Sequence, residues 1–225
     1  KAIVFTEKNK ISYQDIKTPT LAKEQVLIAV RASGLCHTDL EVLQGNYGSS
    51  AFPVVPGHEY AGTVEQIGDE VTKIKVGDNV VVDPNIECGY CLSCQNNNAH
   101  LCETLGAYGV TVNGGFAQYS VVHQNALHDI GDLPFHIAAL AEPLGCALNG
   151  IGTINAGASN NALIFGAGPM GLLFALAAKD KGAKKITFVD INPDRLMLAE
   201  SMGFNTVQSS KENLANLNKE FDLVV

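Results

Sequence analysis

The sequence has no surplus of positive charge. Lys and Arg total 15 against 23 Asp and Glu, a formal net charge of −8, with no basic stripe. Nucleic-acid phosphates are held by basic faces, so no nucleic-acid partner is expected. A long apolar run is also missing. The most apolar stretch, GPMGLLFALAA (168–178), lies between polar residues and falls short of the ~20 residues that span a bilayer, so no membrane partner is expected. The opening KAIVFTEKNK lacks the charged region and apolar run of a secretion signal, and no low-complexity tract occurs. These absences point to a cytoplasmic globular protein. With 46% apolar and 17% charged residues, 225 residues supply core material for one large domain or two small ones.

Cysteine is concentrated in one place. ECGYCLSCQNNNAHLC (87–102) holds four of the six, Cys88, Cys91, Cys94 and Cys102, spaced C-x2-C-x2-C-x7-C. In a cytoplasmic chain thiols stay reduced, and cysteines this close are poor disulfide partners but good chelators. Four thiolates can converge on a tetrahedral Zn²⁺ at about 2.3 Å each. The intervening Gly and Asn residues suit the tight turns this requires. A zinc site is therefore expected in preference to disulfides or free thiols. Four protein ligands leave no open position, so the site reads as structural.

A second group lies upstream. GLCHTDLEVLQG (34–45) carries Cys36, and VVPGHEYAGTVEQIGDEV (54–71) carries His58 and Glu59. Thiolate, imidazole and carboxylate are the donor mixture of a catalytic zinc with three protein ligands. Taken singly, Cys36 also reads as a small buried hydrophobe and His58-Glu59 as a surface ion pair.

Residues 1–135 read as short strands (KAIVF, QVLIAVRA, GTVEQI, NVVVDP, FAQYSVV) between Gly, Pro and Asn turns, an all-β pattern. After about residue 148 strands and helices alternate, which predicts a parallel sheet with crossover helices, entered through GTINAGASN (152–160). The first turn of this region, Gly166-Ala-Gly168-Pro169-Met170-Gly171, is G-x-G-x-x-G between a strand and a helix, with Asp190 19 residues beyond Gly171 at the end of the next strand. That context identifies a dinucleotide site. Gly166 serves the tight turn, Gly168 the approach of pyrophosphate and Gly171 the close packing of helix on strand, while the helix N-terminus attracts phosphate. Asp190 can accept from ribose hydroxyls and repel a 2′-phosphate, favouring NAD; the alternative is a cap for a helix begun by Pro193. FDLVV (221–225) falls inside an expected strand, so the dinucleotide fold is expected to be incomplete, truncated at the C-terminus.

GHEYAGTVEQIG matches G-H-E-x2-G-x5-G through Gly57, His58, Glu59, Gly62 and Gly68; GLCHTDL, VGDNVVV (76–82) and the four-cysteine loop accompany it. Together these resemble the medium-chain zinc-dependent alcohol and polyol dehydrogenases, over the whole chain. The resemblance implies an α/β architecture: an N-terminal all-β, GroES-like catalytic domain (1–148) with two zinc sites, then a Rossmann doubly wound parallel sheet (149–225). It implies two Zn²⁺ per chain, one catalytic and one structural, NAD, hydride transfer from a small-molecule alcohol, and a homodimer or homotetramer. Thr38 takes the place of the relay hydroxyl, or caps a helix. Asp39 matches the acid that orients the ligand His58. Glu41 stands where many alcohol dehydrogenases have a relay histidine. Glu142, in AEPLG, matches the carboxylate near zinc in sorbitol- and arabinitol-type enzymes and points to polyols; its alternative is an acid stabilised at a helix N-terminus. Cys146, a rival ligand, reads as core packing. Arg195 matches a basic residue of the polyol branch that flanks adenine. The five other histidines show no partner pattern. Competing readings are a non-catalytic zinc- and dinucleotide-binding protein, a threonine-type amino alcohol dehydrogenase, and a zinc-free quinone or enone reductase.

Overall fold

The computed structural model describes residues 1–47, 51–154, 161–217 and 221–225. Two compact units are present, Lys1–Glu142 and Pro143–Val225.

In the first unit, strand β1 (Ala2–Glu7) pairs antiparallel with β2 (Lys10–Gln14) around Asn9, which adopts φ 59° as the turn demands. β3 (Gln25–Ser33) leads into helix α1 (His37–Leu43), and β4 (Tyr60–Ile67) and β5 (Asn79–Val82) follow. Next come β6 (Asn85–Ile86), α2 (Leu92–Gln95), β7 (Gly106–Ala107), β8 (Tyr119–His123), β9 (Leu127–Asp129) and α3 (Phe135–Ala138). One antiparallel sheet runs in the order β8-β3-β4-β5-β9. Its inward residues are mostly β-branched and bury completely: Val26, Ile28, Val64, Val80 and Val122 surround Tyr60. The Tyr60 hydroxyl is 2.9 Å from Ser120 Oγ, and the Tyr108 hydroxyl accepts the His123 N–H at 2.9 Å, which satisfies two polar groups that would otherwise be costly in this core. β3 and β4 slip register at Leu27/Ile28 and again at Val30/Ala32, and bulges of this kind bend a strand and re-aim its end. The residues one step beyond the ends so aimed, Gly34 after β3 and Glu59 before β4, lie at the candidate site.

Helix α4 (Ala141–Ile154) carries the division between the units, ahead of the sequence-based boundary at 148. Of the expected entry segment 152–160, residues 152–154 finish α4 and the remainder lies outside the described residues. Cys146 corrects an expectation. The buried face of α4 is Pro143, Ala147 and Ile151, spaced four apart, and Cys146 falls off that stripe and is exposed.

The second unit alternates β10 (Asn161–Phe165), α5 (Pro169–Asp180), β11 (Lys185–Asp190), α6 (Pro193–Ser201), β12 (Asn205–Gln208), α7 (Lys211–Ala215) and β13 (Leu223–Val224). All pairings are parallel, in the order β12-β11-β10-β13. The chain therefore winds one way from β10 to β12 and then crosses to β13, so the reversal lies beside β10. Ligands of open parallel sheets bind at the carboxyl ends of the strands at such a reversal. Ala162, Ile164, Ile186 and Phe188 from the strands pack on Phe174, Ala175, Ala178 and Leu196 from the helices. Phe188 meets Phe204 edge to face at 5.4 Å and 78°, worth about 1 kcal/mol beyond its buried area.

Candidate active site and metal centres

Cys36 is the N-cap residue of α1, in extended conformation, so its side chain stands at the mouth of the helix. Asp39, in the first turn, is buried and works in two directions. Its Oδ2 accepts the Cys36 N–H at 2.9 Å, and its Oδ1 accepts the Gly57 N–H at 3.2 Å. One carboxylate thereby joins the loop carrying Cys36 to the loop carrying His58. Gly57 has φ 91°, open to glycine alone at low cost, and a β-carbon there would strike the Phe116 ring. The turn it makes presents His58 and Glu59 to Cys36.

A thiol sulfur, a ring nitrogen and a carboxylate oxygen from Cys36, His58 and Glu59 lie within 4.8 Å of one another. His58 and Glu59 are buried, and Cys36 is half-buried. Burial alone lowers the His58 pKa, but the neighbouring Asp39 carboxylate and Cys36 thiol outweigh it and raise it to about 9. Burial pushes the Glu59 carboxyl up, His58 opposes this, and the like charges of Glu142 and Asp39 push it further. The site is thus crowded with anionic groups and suits a cation. His58 Nδ1 is buried and makes no hydrogen bond, with Asp39 Oδ1 3.5 Å away. An unsatisfied buried imidazole is costly. Coordination through the other ring nitrogen, with Nδ1–H turned to Asp39, would relieve it, the usual arrangement of ligand histidines. The donor set fits zinc.

Thr38 Oγ1 accepts from the Cys36 thiol at 3.6 Å. Because Cys36 occupies the capping position, Thr38 lies inside the first turn and is not the cap. Glu142 sits half-buried in the first turn of α4, near enough to Glu59 to act on its charge. His37 and His123 do have carboxylate neighbours: His37 Nε2 is 3.2 Å from Glu41 and His123 Nε2 is 3.6 Å from Glu24. The His37 pairing was available to sequence reasoning as an i,i+4 spacing once α1 was placed.

Between β6 and β7 the four cysteines converge, their sulfurs all within 4.8 Å. Cys91 and Cys94 sulfurs are 3.4 Å apart and Cys88 and Cys94 sulfurs 3.9 Å. Neither is a disulfide, and both bracket the ~3.8 Å edge of a tetrahedron with about 2.3 Å metal–sulfur bonds. Gly89 at φ 75° and Asn97 at φ 59° make the turns. Backbone N–H groups of Cys88 and Cys91 donate to the sulfurs of Cys102 and Cys88, both at 3.3 Å. The Cys88 N–H holds the Cys102 thiol down to about 6, while burial and the neighbouring Cys91 push the Cys94 thiol up to about 12, so the four sulfurs do not all favour the thiolate in the absence of a cation.

In the second unit Gly166 turns at φ 103° and Gly168 caps α5, with Pro169 at its first position and Met170 after it. A β-carbon on Gly171 would collide with the Gly166 carbonyl, so helix and turn pack at glycine distance. Asp190 Oδ2 accepts the Ala167 N–H at 2.7 Å, and Oδ1 accepts the Asn192 N–H at 2.8 Å. These two N–H groups hold its carboxyl below the usual range. Asp190 does not cap α6; Asn192 does, accepting from Asp194 and Arg195 N–H groups. Each Asp190 oxygen keeps a second lone pair beside a hollow of about 220 Å³ that Gly166, Ile191 and Ser209 also line. Arg195 Nη1 stands 3.9 Å from Asp190 Oδ2 and the same distance from where a Gly168 β-carbon would lie. The turn fits a dinucleotide.

Residues 22–132 match the alcohol dehydrogenase GroES-like domain. The chain is 50% identical to D-altritol 5-dehydrogenase of Agrobacterium fabrum, over 99% of its own length and 68% of that protein's. It belongs to the medium-chain zinc-dependent alcohol and polyol dehydrogenases. That family consists of nicotinamide-dependent alcohol oxidoreductases with a GroES-like domain and a Rossmann sheet, and this dehydrogenase has both. An L-threonine 3-dehydrogenase of Rhizobium rhizogenes is 34% identical over 93% of the chain and 62% of its own length. A zinc-binding dehydrogenase of Sinorhizobium meliloti 1021, bound to NADP, superimposes with TM-score 0.93 at 31% identity, covering 99% of this chain and 68% of that one. The chain therefore spans about two thirds of the length of its relatives. Among the described residues no helix is long and apolar enough to cross a membrane.

Proposed function

We propose that this dehydrogenase oxidises a polyol, or another secondary alcohol, reversibly to a ketose or ketone with NAD. The observation that carries the reading is the convergence of Cys36, His58 and Glu59 within 4.8 Å, braced by Asp39. Cys36, His58 and Glu59 would hold a catalytic zinc, with Glu142 close by, and Cys88, Cys91, Cys94 and Cys102 a structural one. When bound, the zinc supplies Lewis acidity that makes an alcohol hydroxyl acidic, and the nicotinamide accepts hydride. The chain's residues do the rest. Thr38 receives the hydroxyl proton and passes it outward. Asp39 fixes the His58 ring by accepting from Nδ1. Glu142 adds negative charge beside Glu59, which favours a cation in the site and gives polyol hydroxyls an acceptor.

Gly166, Gly168, Pro169, Met170 and Gly171 would seat the pyrophosphate at the start of α5. Asp190 offers its remaining lone pairs to the ribose and repels a 2′-phosphate, while Arg195 flanks the adenine; this supports NAD over NADP. The 50% identity to an altritol dehydrogenase supports an open-chain sugar alcohol as substrate. A cytoplasmic setting accords with four clustered thiols kept available for metal, and assembly as a homodimer or homotetramer accords with the family.

A threonine-type amino alcohol is the second reading, favoured by relatives named L-threonine 3-dehydrogenase at 34% identity. NADH formation by the full chain across hexitols, pentitols, simple alcohols and L-threonine separates the two. Turnover confined to polyols, with two zinc ions per chain, is expected. Turnover of threonine alone would replace the polyol reading, and no turnover at one zinc per chain would sink both.

A further inference from the structure

Gly34 directly follows β3, two residues before Cys36, and its N–H donates to the Glu59 carbonyl at 2.7 Å. A β-carbon built on Gly34 would lie 3.1 Å from Glu59 Cβ and 3.2 Å from Glu59 Cδ, with its deepest overlap on Glu59 Oε2. Gly34 is absent from the glycines with positive φ, so its backbone is open to any residue. Space, and not conformation, calls for glycine here.

The object in that space sets Gly34 apart from its neighbours. At Gly57 an added β-carbon meets the Phe116 ring, and at Gly62 it meets the Ala29 carbonyl. Rings in a packed interior and strand backbone cannot give way cheaply. At Gly34 the atom most deeply overlapped is the far end of a flexible side chain. A side chain at this position would therefore push the Glu59 carboxylate aside before it disturbed β3 or β4. The displaced carboxylate has poor alternatives, because it is buried and faces the like charges of Glu142 and Asp39.

We propose that Gly34 is a positioning residue for Glu59: the missing β-carbon is what allows the carboxylate to lie within reach of Cys36 and His58. This rests on the reading of those three residues as a metal site. Groups that act through a ligand typically cost about 10–100-fold in metal affinity when altered, and Gly34→Ala belongs in that range.

The test uses the full chain carrying Gly34→Ala, Glu59→Ala and both together. Zinc affinity is measured by competition with a chromophoric chelator, and Co²⁺ substitution reports the geometry of each centre. Gly34→Ala is expected to keep its far-UV circular dichroism and its four-cysteine metal while the other centre binds zinc about 10–100-fold more weakly with an altered Co²⁺ spectrum. In the Glu59→Ala background Gly34→Ala is expected to change nothing further. Equal affinity and spectrum in wild type and Gly34→Ala would overturn the proposal, as would an equal loss in both backgrounds or loss of the fold, either of which places the cost in the backbone. A wild-type chain that binds only one metal ion would overturn the metal-site reading itself and the proposal with it.

Discussion

Asp39 Oδ1 lies 3.5 Å from His58 Nδ1, and the same carboxylate accepts backbone N–H groups from Cys36 and Gly57. The acid is thus both a strut between two loops and a carboxylate close to the orphaned imidazole nitrogen. Asp39→Asn retains the shape but offers a single acceptor oxygen, so one buried N–H goes unpaired. The expected cost is about 1–3 kcal/mol in stability, together with zinc binding weakened about 10–100-fold. Urea denaturation and chelator competition measure the two; a variant with unchanged zinc affinity would reduce Asp39 to a strut.

His58→Ala removes the central donor of the three-residue site without touching the β-sheet core. Turnover is expected to vanish while one zinc ion per chain remains on the cysteines and the circular dichroism is preserved. Measured activity above a small fraction of wild type would remove His58 from the catalytic centre.

Cys88→Ser acts on the other centre. Cys88 Sγ accepts the Cys91 N–H, and the Cys88 N–H donates to Cys102, so this residue anchors the sulfur cluster twice. The expected result is loss of one zinc ion and a lower melting temperature. Adding chelator to wild type should lower its melting temperature in the same direction, and a melting temperature indifferent to chelator would show that this metal contributes nothing to folding.

Asp190 braces the turn through the Ala167 and Asn192 N–H groups, and on the proposed reading it also sets cofactor choice. Its replacement by Ala frees the Ala167 and Asn192 N–H groups, costing about 2 kcal/mol, and should raise the ratio of NADP to NAD turnover. Because the carboxyl is held below its ordinary value of 3.8 in the fold, its charged form stabilises the native state above that value. The contribution is lost as pH falls through the lower, native pKa. The gap in stability between wild type and Asp190→Ala should therefore be constant near neutral pH and narrow below about pH 4. A gap that widened on acidification would contradict the assigned hydrogen bonds.

What the sequence discloses is what short spacing encodes. The four cysteines, the glycine turn and the Cys-x-Thr-Asp run each lie within one local excursion of chain, and the expected strands QVLIAVRA, GTVEQI and NVVVDP fall on β3, β4 and β5. Relations across the fold are less accessible. The Gly34–Glu59 contact depends on two bulges that aim the ends of β3 and β4, and no local pattern announces a bulge. Gln124 ties together Thr72, Lys73, Glu24 and Glu70 through both ends of its amide, a network spread over a hundred positions. The helical stretches at 92–95 and 135–138 carry no sequence signal, because a single turn leaves almost no periodicity to read. Cys146 looked apolar in composition, and only the rotation of α4 turns it outward.

The four-cysteine lobe leaves the antiparallel sheet at Asn85–Ile86 and returns at Gly106–Ala107, and these two short strands pair with each other, Asn85 to Ala107 and Ile86 to Gly106. Its entrance and exit are therefore side by side, and every sulfur it needs is carried inside it. Such an excursion behaves as a cassette. Shortening it to a tight turn, or moving it into another antiparallel hairpin, leaves the strands on either side in register, so the lobe can be altered without moving Cys36 or His58.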